Sequence, residues 1–451
     1  MNSIPVIAIF DVGRTNKKLF LFDEQYNIVF ERSARFTETV DEDGEPCENV
    51  DSLRLSIFDS LREVFRKKEF DIKAVNFSGY GATIVNIDEE GNPVTPLHSY
   101  LKPYPQELSD KFYEKYGGRT AFTHRTASPV LGSLNSAMQI YRLKKEKPEV
   151  FAKIKYSLHL PQYLSYLITG LAFSDLTSVG CHTNLWDFQN NGYHPWVKEE
   201  GILEKLAPLH EADEVVPAAF PGTNYVVGIG LHDSSAALIP YLVNFHEPFV
   251  LISTGTWCIS LNPFNETPLT TEQLDQDCLC YLTYKGNPVK ASRLFAGHDH
   301  ELEVKRLAAR FDQPLHYYRN VDFDLNIINK LAESSFSPDE PFSANNLSAF
   351  DNYEEAYHAL MMEIATRQKK ATQLVLDGGA VKRIFVDGGF SKNPIYMNLL
   401  ALNFPEMEIF AASMAQATAV GTALAIHHAW NSKALPNDIV ELKYYSVRQD
   451  A

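Results

Sequence analysis

Residues 249–261 read FVLISTGTWCISL. Two apolar runs flank a turn of small residues, which is typical of a β-hairpin buried on both faces. Such a turn leaves backbone N–H groups and hydroxyls accessible, and these groups bind anions. An earlier stretch, VIAIFDVGRTNKKLFLF at 6–22, has the same order of strand, Gly- and Thr-containing turn and strand. The repetition predicts two similar halves whose hairpin tips face each other across a cleft.

The rest of the chain alternates short apolar strands with amphipathic helices, which indicates an α/β protein. Residues 205–225 contain several prolines and predict an irregular connection. Further strands are expected at 27–36, 74–79 and 383–389, and helices at 51–68, 105–150, 158–170, 352–378, 393–403 and 417–430.

Length and composition restrict the classes of protein to consider. A chain of 451 residues is long enough for two or three domains. Its net charge of −16, with short basic clusters only at 66–68 and 142–147, argues against nucleic-acid binding. No apolar run reaches the ~18–20 residues of a membrane span, and the first residues do not resemble a signal peptide. The five scattered cysteines fit neither a disulfide framework nor a zinc motif, so we expect reduced, buried thiols and a cytoplasmic protein.

The first hairpin tip, FDVGRTNKK at 10–18, combines an acidic strand end with a glycine turn and lysines. Backbone N–H groups and a lysine can hold phosphate, and an aspartate can reach Mg²⁺ through water. The residues concerned are Asp11, Gly13, Thr15, Asn16 and Lys17. An ordinary hairpin with a left-handed glycine is the alternative interpretation.

A second motif, GIGLHDSSAALIP at 228–240, places Asp233 at the start of a helix-like run. A carboxylate in this position is a common helix cap. It would also suit a general base that accepts the proton of an attacking hydroxyl. The motif is not a dinucleotide fingerprint, because Asp233 stands where a third glycine is required.

A third motif, FVDGGFSKNPIYMNLLA at 385–401, runs from a strand through paired glycines into a helix that begins near a proline. Paired glycines allow a flat ring to approach the backbone, although a plain strand-to-helix turn is the simpler interpretation. The chain has no Gly-Lys pair, so it has no Walker A loop. The sequence GHDHE at 297–301 is a weak metal candidate through His298 and His300.

In this order and spacing, the motifs resemble the FGGY family of carbohydrate kinases across nearly the whole chain. The resemblance implies two ribonuclease-H-like domains of the actin/Hsp70 ATPase type, with ATP and sugar in the cleft between them. It places the sugar site, the first phosphate loop and the catalytic base in residues 1–243, and ATP binding in residues 244–451. It also assigns residues 416–426 to the closing helix of the family.

The resemblance implies a role for each motif. Asp233 would be the catalytic base, and Asp11 would face Mg²⁺. The residues near the ATP phosphates would be Gly13, Thr15, Asn16, Lys17, Gly255 and Thr256. The residues near the nucleoside would be Gly388, Gly389 and Asn393.

Within the family, the His232-Asp233 pair and the string ISTGTW are most similar to the rhamnulokinases and L-fuculokinases. This implies phosphorylation of L-rhamnulose or L-fuculose on the primary O1. The sequence departs from the family where Gln-x-x-Gly or Trp-Gly is frequent, and the segment 95–105 lacks the Asp-x-Arg that often contacts sugar. The candidate pocket residues are Tyr80, Gly81, His98, Tyr100, His232 and Asp233.

Two other functions stay open at this point. The protein could phosphorylate another ketose, such as a xylulose-type sugar, or a polyol. It could also be a non-catalytic nucleotide-binding member of the actin/Hsp70 superfamily, as the altered sugar segment suggests. The resemblance allows a homodimer, although the sequence shows no interface. Domain closure is expected around residues 240–247.

Overall fold

The computed structural model describes residues 3–14, 17–34, 38–219, 224–376, 381–414 and 416–446. Within these ranges the chain builds two seven-stranded mixed sheets, one from each half of the sequence, with helices packed against them. The two-domain α/β architecture expected from the repeated hairpin is confirmed.

The first half of the chain contributes fifteen strands among the residues described. They are β1 (Ile4–Val12), β2 (Lys17–Asp23), β3 (Ile28–Ala34), β4 (Glu38–Val40), β5 (Pro46–Glu48), β6 (Phe70–Gly79), β7 (Ile84–Ile87), β8 (Tyr156–His159), β9 (Ser174–Asp175), β10 (Trp186–Asp187), β11 (Gly192–Tyr193), β12 (Leu209–His210), β13 (Val215–Pro217), β14 (Val226–Gly228) and β15 (Leu231–His232). Its helices are α1 (Val50–Phe65), α2 (Gln106–Lys115), α3 (Arg119–Thr126), α4 (Ser136–Glu146), α5 (Pro148–Lys153), α6 (Leu160–Thr169), α7 (Leu176–Val179), α8 (Pro195–Glu199) and α9 (Asp233–Asn244).

The first sheet has the order β13-β14-β6-β1-β2-β3, and β15 pairs with β6 as well. Strand β1 runs antiparallel to β2 and parallel to β6, and β15 is also parallel to β6. The middle of β1 is buried, in keeping with its nearly continuous apolar sequence and its central position.

The second half builds its own sheet. Its strands are β16 (Phe249–Thr254), β17 (Cys258–Asn262), β18 (Cys278–Leu282), β19 (Pro288–Leu294), β20 (Arg383–Gly388), β21 (Glu408–Ser413) and β22 (Glu441–Tyr445). Their order in the sheet is β18-β19-β17-β16-β20-β21-β22. The hairpin β16–β17 lies next to the parallel strand β20, as the hairpin β1–β2 lies next to β6. The helices are α10 (Thr271–Asp275), α11 (Ala296–Arg310), α12 (Leu325–Ala332), α13 (Tyr353–Val375), α14 (Pro394–Asn403), α15 (Ala417–Ala425) and α16 (His427–Trp430).

Three segments differ in detail from the elements expected from sequence. The region 105–150 is divided into α2, α3, α4 and α5, and Gly117 and Gly118 separate the first two with φ of 94° and 89°. The region 158–170 begins with the end of β8 before α6 follows. The irregular connection at 205–225 contains the short strands β12 and β13.

Helix α15 comes from the second half of the chain but packs on the first sheet. It contacts α9 and the strands β1 and β6. The contact with α9 is very close, because a β-carbon on Gly421 would lie 1.8 Å from the Ala236 carbonyl oxygen. Buried side chains of α15, such as Ala419 and Val420, share one core with Ile7 and Ile9 of β1. The small residues of α15 therefore allow it to approach α9 and the first sheet closely.

The cysteines agree with the expectation of buried thiols, since all five are buried and unpaired with one another. Cys278 and Cys280 lie on one face of β18, because they share a cluster that excludes Leu279 and Tyr281. Among the residues that the structure describes, no helix combines the length and the apolar character that crossing a membrane requires.

Candidate active site

Three parallel strands of the first sheet end side by side at one edge of the candidate site. Asp11 at the end of β1 is paired with Ser78 of β6. On the other side of β6, His232 at the end of β15 is paired with Gly79. Ligands of open α/β sheets bind at the carboxyl ends of the strands, so this edge is where a substrate is expected.

The Asp11 carboxylate is the first acidic group of this edge. It accepts a hydrogen bond from the Ser78 hydroxyl over 3.0 Å. Burial raises the pKa of Asp11 to about 6; the hydrogen bond from Ser78 lowers it, and the nearby Asp233 carboxylate raises it further. Two carboxylates that interact in this way favour a cation between or beside them, and hard oxygen ligands suit Mg²⁺.

Asp233 begins α9, as expected from the sequence. Its Oδ1 accepts a hydrogen bond from the Ser234 backbone N–H at 2.6 Å, and 31% of its side chain is exposed. Burial of the carboxyl raises the pKa of Asp233 to about 6, and the bonds from Ser234 oppose this shift. The carboxylate is therefore held rigidly, is accessible, and has an increased affinity for a proton.

His232 lies immediately behind Asp233. Its Nε2 is 3.2 Å from Asp233 Oδ1 and 3.0 Å from the Cys181 Sγ. Burial lowers the pKa of His232 to about 3, so the ring is neutral. Gly81 leaves the space in front of this group, because a β-carbon there would lie 2.8 Å from Cys181 Sγ. The structure thus brings together Gly81, His232 and Asp233 and adds Cys181.

Tyr80 and Tyr100 form a second group near the first hairpin tip. Their ring centroids are 6.0 Å apart, and the Arg14 guanidinium lies 5.0 Å from the Tyr100 ring centroid. Burial raises the pKa of Tyr80 well above its usual range. The contact of Arg14 with Tyr100 joins the hairpin tip to the segment expected to contact sugar.

Lys17 and His98, which were predicted to bind phosphate and sugar, contact acidic side chains in the structure. The buried ammonium of Lys17 contacts Glu48 Oε1 at 3.0 Å and the Arg14 carbonyl oxygen at 3.2 Å. His98 Nε2 lies 3.2 Å from Glu42 Oε1, so its ring belongs to a cluster of charged side chains. Roles for Lys17 and His98 in phosphate or sugar binding stay predictions. Thr15 and Asn16 lie outside the described residues, and Gly13 follows β1 directly.

On the second sheet, the pairing of β16 with β20 brings together the two glycine-containing turns that are expected to bind nucleotide. Thr254 of β16 is paired with Gly388 of β20. Gly388 has a φ of +92°, and a β-carbon on it would lie 1.9 Å from the Thr254 carbonyl oxygen. Gly389 follows, with nothing within 4 Å of the position that a β-carbon would take, and donates its N–H to that same oxygen over 3.1 Å.

A cleft of about 590 Å³ opens beside these turns. Its lining comprises Gly255, Gly297, His300, Tyr318, Arg319, Gly389, Phe390, Lys392, Asn393 and Pro394. The cleft combines glycine backbone, aromatic rings and cationic side chains, which suits a phosphorylated ligand with a flat base. Gly255 and Thr256 are exposed at the hairpin tip, as their expected role requires.

Asn393 lines this cleft, but its side chain is occupied by the fold. Its Oδ1 accepts from the backbone N–H groups of Ile395 and Tyr396, which caps α14. Its Nδ2 donates to the Tyr357 hydroxyl over 2.7 Å. These bonds hold Asn393 in place beside the cleft, and its expected contact with the nucleoside stays a prediction.

Several residues of the candidate site were not predicted from the sequence. Gly297 lies in the first turn of α11, and a β-carbon there would lie 1.8 Å from the Gly255 carbonyl oxygen. The motif GHDHE therefore contributes a close backbone contact, and His300 is buried against the Tyr357 hydroxyl at 3.0 Å. No local pattern pointed to Ser78, Cys181, Tyr318 or Arg319, because each reaches the site only through the tertiary fold.

The N-terminal domain of the FGGY family of carbohydrate kinases matches residues 6–239, and the C-terminal domain of carbohydrate kinase FGGY matches residues 246–434. The chain belongs to the FGGY family of carbohydrate kinases.

Individual FGGY proteins are similar to this chain at modest identity. A curated rhamnulokinase of Halalkalibacterium halodurans is 24% identical over 278 residues, which is 59% of this chain and 58% of the relative. A carbohydrate kinase structure from Novosphingobium aromaticivorans has a TM-score of 0.79 at 23% identity, covering 99% of this chain and 95% of the other. A ligand-bound xylulose kinase structure from Lactobacillus acidophilus has a TM-score of 0.79 at 16% identity, covering 98% and 93%. The structural likeness concerns the fold.

Proposed function

We propose that this protein transfers the γ-phosphoryl group of ATP to the primary hydroxyl of a ketose, with L-rhamnulose or L-fuculose as the expected substrates. The observation that carries the proposal is the position of Asp233. Its carboxylate stands at the carboxyl edge of the first sheet, interacts with Asp11, and is partly exposed. A phosphoryl transfer to an alcohol needs a base at such a place.

In this phosphoryl transfer, each motif of the chain would have its own role. Asp233 would accept the proton of the sugar hydroxyl as the phosphoryl group leaves ATP. The exposed backbone of Gly255 and Thr256 would face the phosphates, and the 388–393 turn would support the nucleoside. Asp11 would hold Mg²⁺, which supplies charge neutralisation at the phosphates when bound. Phosphoryl transfer depends chiefly on such positioning and electrostatic stabilisation.

The sugar is supported by similarity to the rhamnulokinase and by the His232-Asp233 pair. Solved structures of the same fold include a xylulose kinase and a glycerol kinase, so another ketose or a polyol is the second candidate. Tyr80, Gly81, Tyr100 and His232 are the proposed contacts that select between them. The division of roles between residues 1–243 and 244–451, a cytoplasmic location and a homodimer stay predictions.

The test is an ADP-release assay with MgATP and a panel of sugars. The panel contains L-rhamnulose, L-fuculose, L- and D-xylulose, D-ribulose and glycerol. Strong preference for one of the two 6-deoxy sugars would support the full proposal, and preference for another member would correct only the substrate. ATP binding without sugar-stimulated ADP release across the panel would contradict the kinase activity and favour the non-catalytic alternative.

A further inference from the structure

We infer that Cys181, His182 and His232 form a binding site for a soft divalent cation, Zn²⁺ in the first instance. The Cys181 sulfur and one imidazole nitrogen of each histidine lie within 4.8 Å of one another. In a tetrahedral zinc site, the usual Zn–S and Zn–N bond lengths separate the ligand atoms by roughly 3.3–3.6 Å. The three ligands would therefore need only small side-chain movements to bind one ion.

The second ring nitrogens are oriented as in metal sites. His182 Nδ1 lies 3.1 Å from the Leu134 carbonyl oxygen, which can only accept a hydrogen bond. His182 Nδ1 must therefore carry the hydrogen, and its Nε2 carries a lone pair. Metal-binding histidines characteristically donate their other ring N–H to a backbone carbonyl or similar acceptor in this way.

His232 also carries its ring hydrogen on Nδ1, but a different contact determines this. Its Nδ1 lies 3.4 Å from the Ser235 hydroxyl oxygen, and that hydroxyl donates its one hydrogen to the Leu282 carbonyl oxygen at 2.8 Å. The hydrogen of the contact between His232 and Ser235 must therefore come from the ring, which leaves a lone pair on His232 Nε2. This lone pair points to the side of Cys181 and Asp233.

The cluster of His232, Cys181 and Asp233 has more hydrogen-bond acceptors than donor hydrogens. His232 Nε2 is 3.0 Å from Cys181 Sγ and 3.2 Å from Asp233 Oδ1. Asp233 Oδ1 also accepts hydrogen bonds from Ser234, but when Asp233 is ionised the Cys181 thiol supplies the one hydrogen that these three side chains hold between their facing atoms. A cation would satisfy all of these electron pairs at once, and the Asp233 oxygen or a water would complete a tetrahedral set. A thiolate with two imidazoles selects Zn²⁺ over Mg²⁺, which prefers oxygen ligands.

Access to the site is from the Asp233 side. Cys181 and His232 are 0% and 3% exposed, whereas 31% of the Asp233 side chain is exposed. The missing side chain at Gly81 keeps the sulfur free of a competing contact. Binding replaces the S–H bond of Cys181 with a metal–sulfur bond and releases one proton to solvent, without a change of oxidation state.

Occupation of this site would block the proposed chemistry. An ion bound to His232 and Cys181 would draw the Asp233 carboxylate away from the hydroxyl that it must deprotonate. We therefore expect Zn²⁺ to inhibit sugar-dependent ADP release, in competition with the sugar. This consequence rests on the proposed function, whereas the binding of the ion does not.

The experiment is a titration of the full-length protein with Co²⁺, without sugar or nucleotide. Cobalt bound to a thiolate gives a near-ultraviolet charge-transfer absorption that reports the sulfur ligand directly. We expect one equivalent of Co²⁺ to produce this absorption, one equivalent of Zn²⁺ to abolish it, and excess Mg²⁺ to leave it unchanged. Cys181→Ser should remove the absorption, and His182→Gln should weaken binding at least about tenfold.

Cys280→Ser is the matched control, because Cys280 is also buried but lies in a different cluster on β18. It should keep the wild-type absorption. Circular dichroism checks the fold of each variant, and His182→Gln serves if Cys181→Ser does not fold. No absorption in the wild type, or an unchanged one in Cys181→Ser or in His182→Gln, would overturn the inference. Because the titration needs no turnover, its failure is distinguishable from failure of the kinase proposal.

Discussion

The Ser78 hydroxyl donates a hydrogen bond to Asp11 Oδ1 across the parallel strands β6 and β1, over 3.0 Å. This bond fixes the Asp11 carboxylate at the edge where Asp233 also stands. It lowers the pKa of Asp11 against the effects of burial and of the Asp233 charge, which raise it. The carboxylate proposed to hold Mg²⁺ therefore depends on a neighbour outside the recognised motifs.

Ser78→Ala is expected to raise the Mg²⁺ concentration for half-maximal activity by about fivefold, since the lost hydrogen bond is worth ~1 kcal/mol. The sugar KM should change little, because Ser78 is buried and faces Asp11. The measurement is ADP release against Mg²⁺ concentration. Ser157→Ala removes another buried hydroxyl, bonded to Asn86, and is the control. An unchanged Mg²⁺ requirement in Ser78→Ala would contradict the role given to Asp11.

Asp233→Asn is expected to lower kcat by ~10²–10⁴-fold, because the amide cannot accept the hydroxyl proton. ATP binding should be retained, since the nucleotide cleft is built from the second half of the chain. Turnover is measured by ADP release, and ATP binding by calorimetry. Asp324→Asn makes the same change at the cap of α12 and should leave both values unaltered. Wild-type turnover in Asp233→Asn would exclude it as the base.

Gly388 and Gly389 are adjacent but should respond differently to alanine. Gly388→Ala should destabilise the fold by at least ~1–3 kcal/mol, because φ is +92° and the new β-carbon would meet the Thr254 carbonyl. Gly389→Ala should leave Tm unchanged, since nothing lies within 4 Å of its β-carbon position. It should nevertheless weaken ATP binding, because the methyl group would project beside the cleft. Thermal unfolding and calorimetry test both, and equal effects of the two variants on Tm would refute this distinction.

Glu200 should give stability that depends on pH. Burial raises its pKa, but hydrogen bonds from Lys115 at 2.5 Å, Lys144 at 2.6 Å and the Tyr116 hydroxyl at 2.7 Å outweigh burial and lower the pKa well below its usual range. Because the folded-state pKa is depressed, the stabilisation is complete above the unfolded pKa of ~4.3 and is lost as pH falls towards the folded pKa.

Glu200→Gln is therefore expected to reduce the free energy of unfolding by ~1–3 kcal/mol at pH 7, less than for a fully buried ion pair, because the Lys115 and Lys145 side chains are partly exposed to solvent. The difference from wild type should shrink as pH falls below ~4. Denaturant unfolding at pH 7 and pH 3.5 measures it. Glu204→Gln, on the neighbouring helical turn, is the control. An equal difference at both pH values would show that the charge of Glu200 is not the cause.

Closure of the two halves is predicted around residues 240–247. In the structure α9 ends at Asn244, and Phe245 stacks on Phe385 of the second sheet with ring centroids 4.4 Å apart. Sugar together with a non-hydrolysable ATP analogue should reduce the radius of gyration measured by small-angle X-ray scattering, since closure excludes water from the reaction. Sugar alone is the control. No compaction with both ligands would argue against closure.

The sequence predicted local features of the site because their signals are local. The hairpin at 249–261 and the helix start at Asp233 follow from apolar runs, small turn residues and a carboxylate at a helix terminus. The position of Gly389 beside the cleft follows from its strand-to-helix turn. Each of these predictions needs only the residues within one turn or one strand.

Contacts between distant parts of the chain were not predictable in the same way. Cys181 is 51 residues from His232, and Glu48 is 31 residues from Lys17, so their contacts depend on how helices and strands pack. His159 ends strand β8, although its segment was predicted to be helical. The strand forms because it pairs with β7, which lies about seventy residues earlier in the chain. Pairing across such distances leaves no periodic signal in either segment.

The position of α15 has a consequence for the order in which the protein matures. Residues 417–430 cover β1 and β6, which leave the ribosome more than three hundred residues before them. Until those late residues are made, Ile7 and Ile9 are covered only in part, by residues such as Ile239 of α9, and the uncovered apolar surface is open to unwanted association. The first half of the chain, though it forms its own sheet, must therefore wait for the synthesis of residues 417–430 before its core is fully enclosed.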